Sequence, residues 1–172
     1  LEMICPSHGV IWRKDPAQIV EKYAAWANAY KEDQITIVYD TMWGGTRTMA
    51  EHIARGIEET DKTVSVKLFN LSTTSKNDVI TEVFKSKAIA VGSPTINRGI
   101  LSEAAGFLEE MRGLGFKGKK AAAFGCYGWS GESQKMLQEL LQKAGFEVFE
   151  EGLRCLWQPD ESARRQCAEF GR

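Results

Sequence analysis

Three segments rich in glycine and hydroxyl residues hold the side chains that could do chemistry. They read Asp40-Thr41-Met42-Trp43-Gly44-Gly45-Thr46, Gly92-Ser93-Pro94-Thr95-Ile96-Asn97-Arg98-Gly99 and Gly125-Cys126-Tyr127-Gly128-Trp129-Ser130-Gly131. The first stands between an apolar β-branched run, residues 35–39, and a segment of helical period. A strand, a tight turn and a helix start in that succession offer an anion backbone N–H groups and the positive end of a helix dipole. No Lys or Arg precedes Arg47 in this segment, no Gly-Lys-Ser/Thr follows it, and G-x-G-x-x-G is absent. Polyphosphate and dinucleotide loops are thereby excluded. What remains suits a monophosphate held by the Thr41 and Thr46 hydroxyls and by backbone N–H groups.

The third segment adds a second chemistry. Tyr127 and Trp129 lie among glycines in a loop, whereas a core aromatic normally sits in a strand or helix. An aromatic pair beside a phosphate cradle suits a planar ring stacked between side chains. A monophosphate joined to a large flat ring describes FMN. Taken alone, Gly44-Gly45 is equally compatible with a plain strand-to-helix turn. Cys126 reads as a small filler, because no cation or second thiol is at hand in the sequence to activate it. Asn97 tolerates the left-handed region better than most residues. It is thus a candidate for a peptide that reorients when flavin N5 gains a proton, or an ordinary turn residue.

These loops need a scaffold, and the rest of the chain supplies one. Apolar runs at 35–39, 64–69, 88–91, 120–124 and 146–149 alternate with helical patterns at 46–59, 78–86, 101–111 and 132–144. A last helix is expected from Asp160 to about Phe170. Asn77 is placed as a helix N-cap and Gly145 as a glycine just past a helix end. Five short strands alternating with helices call for a parallel sheet covered on both faces. Ligands then bind beyond the C-terminal ends of the strands, where all three segments fall. Ahead of this domain, residues 1–14 read as irregular chain with apolar Ile4, Val10, Ile11 and Trp12. Asp15-Pro16 follows as an N-cap and first-turn proline, with Ile19, Tyr23, Trp26 and Tyr30 on one helical stripe.

Composition sets the outer limits. A chain of 172 residues, 43% of them hydrophobic, can bury one full core. Its net charge of −1 provides no basic footprint for nucleic acid. No apolar run approaches the ~18–20 residues of a membrane span. The N-terminal LEMICPSHGV lacks the features of a secretory signal, and its lack of an initiator Met suggests a piece of a longer chain. Four scattered cysteines (Cys5, Cys126, Cys155, Cys167) form no CxxC pair, which points to reduced thiols and a cytoplasmic setting.

The stretch from Ile37 to Ile53 resembles the flavodoxin FMN-phosphate signature throughout its length. Together with Cys5-Pro6-Ser7-His8-Gly9-Val10-Ile11-Trp12-Arg13, Gly92-Ser93-Pro94-Thr95 and Gly128-Trp129-Ser130-Gly131, it is similar to the flavodiiron proteins. These are the A-type flavoproteins, which include the nitric oxide reductase flavorubredoxins. The resemblance spans essentially the whole chain. It implies a flavodoxin-like α/β three-layer sandwich with a five-stranded parallel sheet of order 2-1-3-4-5. Residues 1–33 would be the end of an upstream metallo-β-lactamase-like domain with a connecting helix, and residues 34–172 the FMN-binding domain. His8 would match the last ligand of the di-iron centre, whose other ligands would lie upstream. The rubredoxin extension with its CxxC pairs is not in this sequence.

By the same resemblance, Thr41, Met42, Trp43, Gly44, Gly45 and Thr46 would hold the FMN phosphate. Ser93, Pro94, Thr95, Ile96 and Asn97 would run along the ribityl chain and one edge of the isoalloxazine. Gly125, Cys126, Tyr127, Gly128 and Trp129 would cover the other edge, with Trp129 or Tyr127 against the ring. Electrons would come from rubredoxin or an NADH-rubredoxin reductase. They would pass to a di-iron site that reduces O2 to water or NO to N2O, in a head-to-tail homodimer.

Two other readings share this topology. One is an NAD(P)H-dependent FMN quinone reductase. The other is a receiver-type signalling domain, which needs an Asp ending strand 3 and an acidic pair after strand 1. The chain has Val91-Gly92-Ser93 and a single Asp40 there. The three loops carry one acid, Asp40, and one base, Arg98. Reduced FMN is negative, so the two one-electron potentials are expected to lie closer together than in a strongly acidic flavodoxin.

Overall fold

A computed structural model describes residues 1–28 and 30–172. Ala29 falls within the stretch expected to be helical and lies outside the described residues. The chain divides into two compact units, Leu1–Tyr30 and Lys31–Arg172.

The first unit opens with an antiparallel bridge between Ile4 and Trp12, closed by reciprocal backbone hydrogen bonds of 3.1 and 3.0 Å. Helix α1 follows at Ala17–Ala27, where Tyr23 and Trp26 meet edge to face. The helix stops at Ala27, so Tyr30 is not on its stripe. Asp15 is not the N-cap either. Its φ of 47° makes a left-handed corner, and Pro16 takes the N-cap position without a side-chain cap.

The second unit is built on strands β1 (Glu32–Tyr39), β2 (Ser65–Asn70), β3 (Ser86–Gly92), β4 (Lys120–Tyr127), β5 (Glu147–Val148) and β6 (Leu153–Leu156). Its helices are α2 (Gly45–Thr60), α3 (Lys76–Lys85), α4 (Ser102–Leu114), α5 (Ser133–Lys143) and α6 (Glu161–Gly171). All pairings are parallel, in the order β2-β1-β3-β4-β5, as expected. Alternation along the strands divides the core. Val38, Ile89, Val91, Ala121 and Ala123 face α3, α4 and α5, packed with Phe107, Leu108, Leu137 and Leu141. Ile37, Tyr39, Ala90, Phe124 and Cys126 face the opposite layer, with Met49, Ile53 and Ile57 of α2 and Cys167 of α6. Burying both faces of β1, β3 and β4 is what their continuous apolar runs require.

The fifth position departs from expectation. β5 is two residues long and pairs Lys120 and Ala121 at the start of β4. β6 pairs the second half of β4, matching Phe124 with Leu153 and Cys126 with Cys155. The edge is thus shared by two short strands in succession, and β6 has no counterpart among the five expected strands. The N-cap of α3 is Ser75, with Asn77 already inside the helix, because the turn from Asn70 to Thr74 closes earlier than the sequence suggests. Gly145 does stand just past α5, at φ 94°. There its N–H reaches Gln142 O at 3.0 Å, and the Phe146 N–H reaches Leu141 O at 3.2 Å.

Candidate functional site

The loops after β1, β3 and β4 meet at the C-terminal edge of the sheet, around a cavity of about 390 Å³. That volume suits a small organic ligand. Its walls are Thr41, Met42, Trp43, Gly45 and Thr46 from the first loop, Pro94 and Thr95 from the second, Cys126 and Tyr127 from the end of β4, and Gly128 and Trp129 from the loop beyond it. Trp157 and Gln158, which follow β6, complete the cavity. None of these residues is charged. β4 runs three residues further than expected, because β6 pairs it as far as Tyr127, so Tyr127 is a strand residue and not the loop aromatic that the sequence suggests.

The first loop is shaped by local bonds. Buried Asp40 accepts from the Thr41 N–H at 2.8 Å and from Ser72 Oγ at 2.6 Å. Thr41 Oγ1 accepts from the Gly44 N–H at 3.0 Å. Gly44 is the N-cap of α2 in the left-handed region, φ 84°, a conformation that glycine adopts without steric cost. The helix then starts at Gly45. The N–H groups of Gly45, Thr46 and Arg47 have no intrahelical acceptor, so the first turn keeps donors for an outside partner. Thr46 is 1% exposed, and its Oγ1 makes no well-formed hydrogen bond among the described residues, its polar neighbour being the weakly bonding Cys126 thiol. A buried hydroxyl left unpaired costs ~1–3 kcal/mol, and such a group calls for an explanation.

The second loop makes the wall less directly. Ser93 is buried, its hydroxyl donating to Pro94 O at 3.0 Å and accepting from the Leu101 N–H at 3.0 Å. Its side chain fixes the loop and does not line the cavity. Thr95 donates its N–H to Cys126 O at 2.9 Å and shares a hydroxyl contact of 2.9 Å with Ser133 at the start of α5. Ile96 and Gly99 exchange backbone bonds of 3.2 and 2.7 Å around Asn97 and Arg98, both at positive φ (49° and 60°). Positive φ at both central residues is the demand of a type I′ turn. Asn97 therefore occupies the left-handed conformation that its residue type tolerates. Ile96, Asn97, Gly44 and Gly125 stand behind the lining or beside it.

In the third loop, Trp129 is 89% exposed and meets the Trp157 ring edge-on at 5.8 Å. Tyr127 lies under the Arg154 guanidinium, 5.8 Å from its ring centroid. Cys126 does have a second thiol beside it, contrary to the expectation from sequence, because β6 sets Cys155 opposite it. Burial raises the pKa of both thiols and so disfavours their thiolate forms. Burial, and then the neighbouring Cys155, push the Cys126 thiol up to about 12, far above the range of a thiolate nucleophile. Cys126 also touches Met49 Sδ at 3.5 Å, as a packed filler would.

Trp157 and Gln158 are not among the residues expected from sequence. Their signal is the short alternating run Leu153-Arg154-Cys155-Leu156 between Gly152 and Pro159. His8 is exposed in the first unit, and among the described residues no three His, Cys, Asp or Glu side chains are grouped to hold a metal. Nor is any described helix long and apolar enough to cross a membrane.

Comparison with known proteins agrees with this geometry. The flavodoxin family model matches residues 37–171. The anaerobic nitric oxide reductase flavorubredoxin of Vibrio vulnificus (strain YJ016) is 50% identical over 171 residues, which are 99% of this chain and 34% of that protein. The protein of the same name from Escherichia coli (strain K12 / DH10B) is 50% identical over the whole chain and 36% of its own length. The chain thus spans about a third of the length of the curated relatives it matches. Among solved structures, rubredoxin oxygen:oxidoreductase from Desulfovibrio gigas superposes with a TM-score of 0.88 at 35% identity, over 99% of this chain and 42% of that one. The flavodiiron protein from Giardia intestinalis gives 0.88 at 28% identity, with the same coverage. The chain belongs to the flavodoxin family, as a flavodoxin-like domain homologous to about a third of a flavorubredoxin.

Proposed function

We propose that the cavity holds FMN and that the domain carries electrons for a larger flavodiiron-type protein. The observation that carries this reading is the buried Thr46 hydroxyl without a well-formed hydrogen bond, set in a helix start whose first N–H groups have no intrahelical acceptor. A phosphate there satisfies the buried hydroxyl and the dipole together, without any formal cation. Thr41 orients the loop through Gly44, and Thr95 and Pro94 bound the middle of the cavity. Tyr127, Trp129 and Trp157 provide flat apolar surface for a ring, shielding it from water. When bound, FMN supplies the electron transfer.

In the intact protein, the electrons go to a di-iron site to which this chain gives one ligand, His8, and whose other ligands lie outside it, and are spent on NO or O2. The names of the relatives support this: one class is called an anaerobic nitric oxide reductase flavorubredoxin, another a rubredoxin oxygen:oxidoreductase. Rubredoxin or an NADH-rubredoxin reductase is the donor. The intact protein works in the cytoplasm as a head-to-tail homodimer, the setting that four unpaired cysteines fit. Residues 1–30 belong with the iron domain and its connecting helix, since the boundary expected at residue 33 falls inside β1. The relatives do not favour the quinone reductase alternative.

A visible spectrum of the purified protein tests the cofactor. Bands of bound flavin, released as FMN on denaturation, support the reading. A colourless protein that does not take up added FMN overturns it.

A further inference from the structure

Gln158 stands 115 positions along the chain from Trp43, yet its Nε2 donates to the Trp43 carbonyl oxygen at 2.8 Å. The N–H at the other end of the same peptide, that of Gly44, donates to Thr41 Oγ1 at 3.0 Å. The Trp43–Gly44 peptide is therefore gripped at both of its polar atoms. This peptide leads directly into α2. If it rotated, the Trp43 carbonyl oxygen would turn toward the space that the helix N–H groups face, and an anion there would meet a negative dipole.

Gln158 is itself firmly placed. The preceding Trp157 has φ 56°, donates its N–H to Tyr127 O at 2.8 Å and lays its ring against Gly128. Those contacts anchor the chain after β6 on the third loop, and Gln158 reaches from there to the first. A Cβ placed on Gly45 would lie 3.3 Å from Gln158 Oε1, so the carboxamide also sits beside the first residue of α2.

We propose that Gln158 is a positioning residue for the flavin phosphate. It acts through the Trp43–Gly44 peptide, holding the first loop in the one arrangement that turns N–H groups toward the anion. The assignment rests on the reading of the cavity as an FMN site, and it concerns the phosphate end alone.

FMN and riboflavin, which differ by that phosphate, separate this role from general support of the pocket. Each is titrated into apoprotein of the wild type, Gln158→Ala and Gln158→Glu, and apo thermal unfolding is recorded for all three. The Gln158 side chain is exposed, so its removal leaves the apo midpoint within a degree or two. Gln158→Ala weakens FMN about tenfold, the worth of one hydrogen bond of ~1.4 kcal/mol, and leaves riboflavin within about twofold. Gln158→Glu keeps the size but cannot donate, and it adds a negative charge, so FMN weakens further while riboflavin does not. Equal losses for both flavins, or none, overturn the assignment. A wild type that binds neither flavin overturns the FMN reading and this assignment with it, so the unmutated protein tells the two failures apart.

Discussion

Gly56 of α2 lies against Ala168 of α6 so closely that a Cβ built on Gly56 would run into the Ala168 carbonyl. The two helices cover the same face of the sheet, and Ile53 and Cys167 lie between them in the core. α6 follows directly on the segment that carries Trp157 and Gln158, so this contact also sets where the cavity's far wall begins. Backbone cannot yield as a flexible side chain can. Gly56→Ala therefore separates α2 from α6 and costs about 1–3 kcal/mol despite its better helix propensity. Urea unfolding followed by circular dichroism measures the loss, and an unchanged or higher midpoint contradicts the close contact.

Thr46 sets stability against binding. Thr46→Val keeps the shape of the side chain and removes a buried hydroxyl that lacks a well-formed hydrogen bond. The apoprotein should gain about 1 kcal/mol, because a poorly satisfied polar group is no longer buried. FMN affinity should fall about tenfold or more as the phosphate loses a donor. Opposite signs in the two assays identify a hydroxyl kept for a ligand. A fall in both shows that Thr46 instead holds the fold.

Much of this site is legible in the amino-acid sequence, for a physical reason. Ile35 to Thr46 specifies strand, turn and helix start through local patterning alone, and the loops after β3 and β4 announce themselves by glycine. The rest depends on pairing at a distance. β6 is hidden because no helix separates it from β5, so the alternation that reveals the other strands runs out at Phe149. Trp157, Gln158 and the Cys126–Cys155 neighbourhood all hang on that one strand. The caps expected at Asp15 and Asn77 fail for a different reason: both residues suit caps and turns alike, and neither takes the N-cap position.

Lys119 supplies a test of pH dependence at the far end of the sheet. It is buried, and its Nζ donates to Phe84 O at 2.9 Å and Ser86 O at 2.6 Å. Burial first, and the charge of Lys31 second, lower its pKa from 10.5 to about 8. The unfolded chain therefore binds more protons between those values, and stability rises with pH across that window. Lys119→Met removes this slope. The wild type should gain thermal stability relative to the variant as pH climbs from about 8 to about 10.5, whatever their difference at neutral pH. A difference that stays constant over that range shows that the lysine is not desolvated.

The uncharged lining of the cavity bears on how easily a bound flavin accepts its second electron. Asp40, the one acid in the three loops, is 4% exposed and spends its carboxylate on the Thr41 N–H and the Ser72 hydroxyl. Reduced FMN would thus meet no lining carboxylate, and its two one-electron potentials should lie closer together than in a strongly acidic flavodoxin. Adding an acid should separate them. Met42 lines the cavity and is 42% exposed, so Met42→Asp introduces a carboxylate at little structural cost. At an effective dielectric of ~20, a unit charge ~8 Å away opposes a second negative charge by ~2 kcal/mol, on the order of 100 mV for a one-electron couple. The second potential of Met42→Asp should fall by that order, the first much less, and added salt should shrink the difference. A redox titration of both proteins at two ionic strengths checks it. An unmutated protein whose second couple is already very low would show that something other than nearby acids sets the potential.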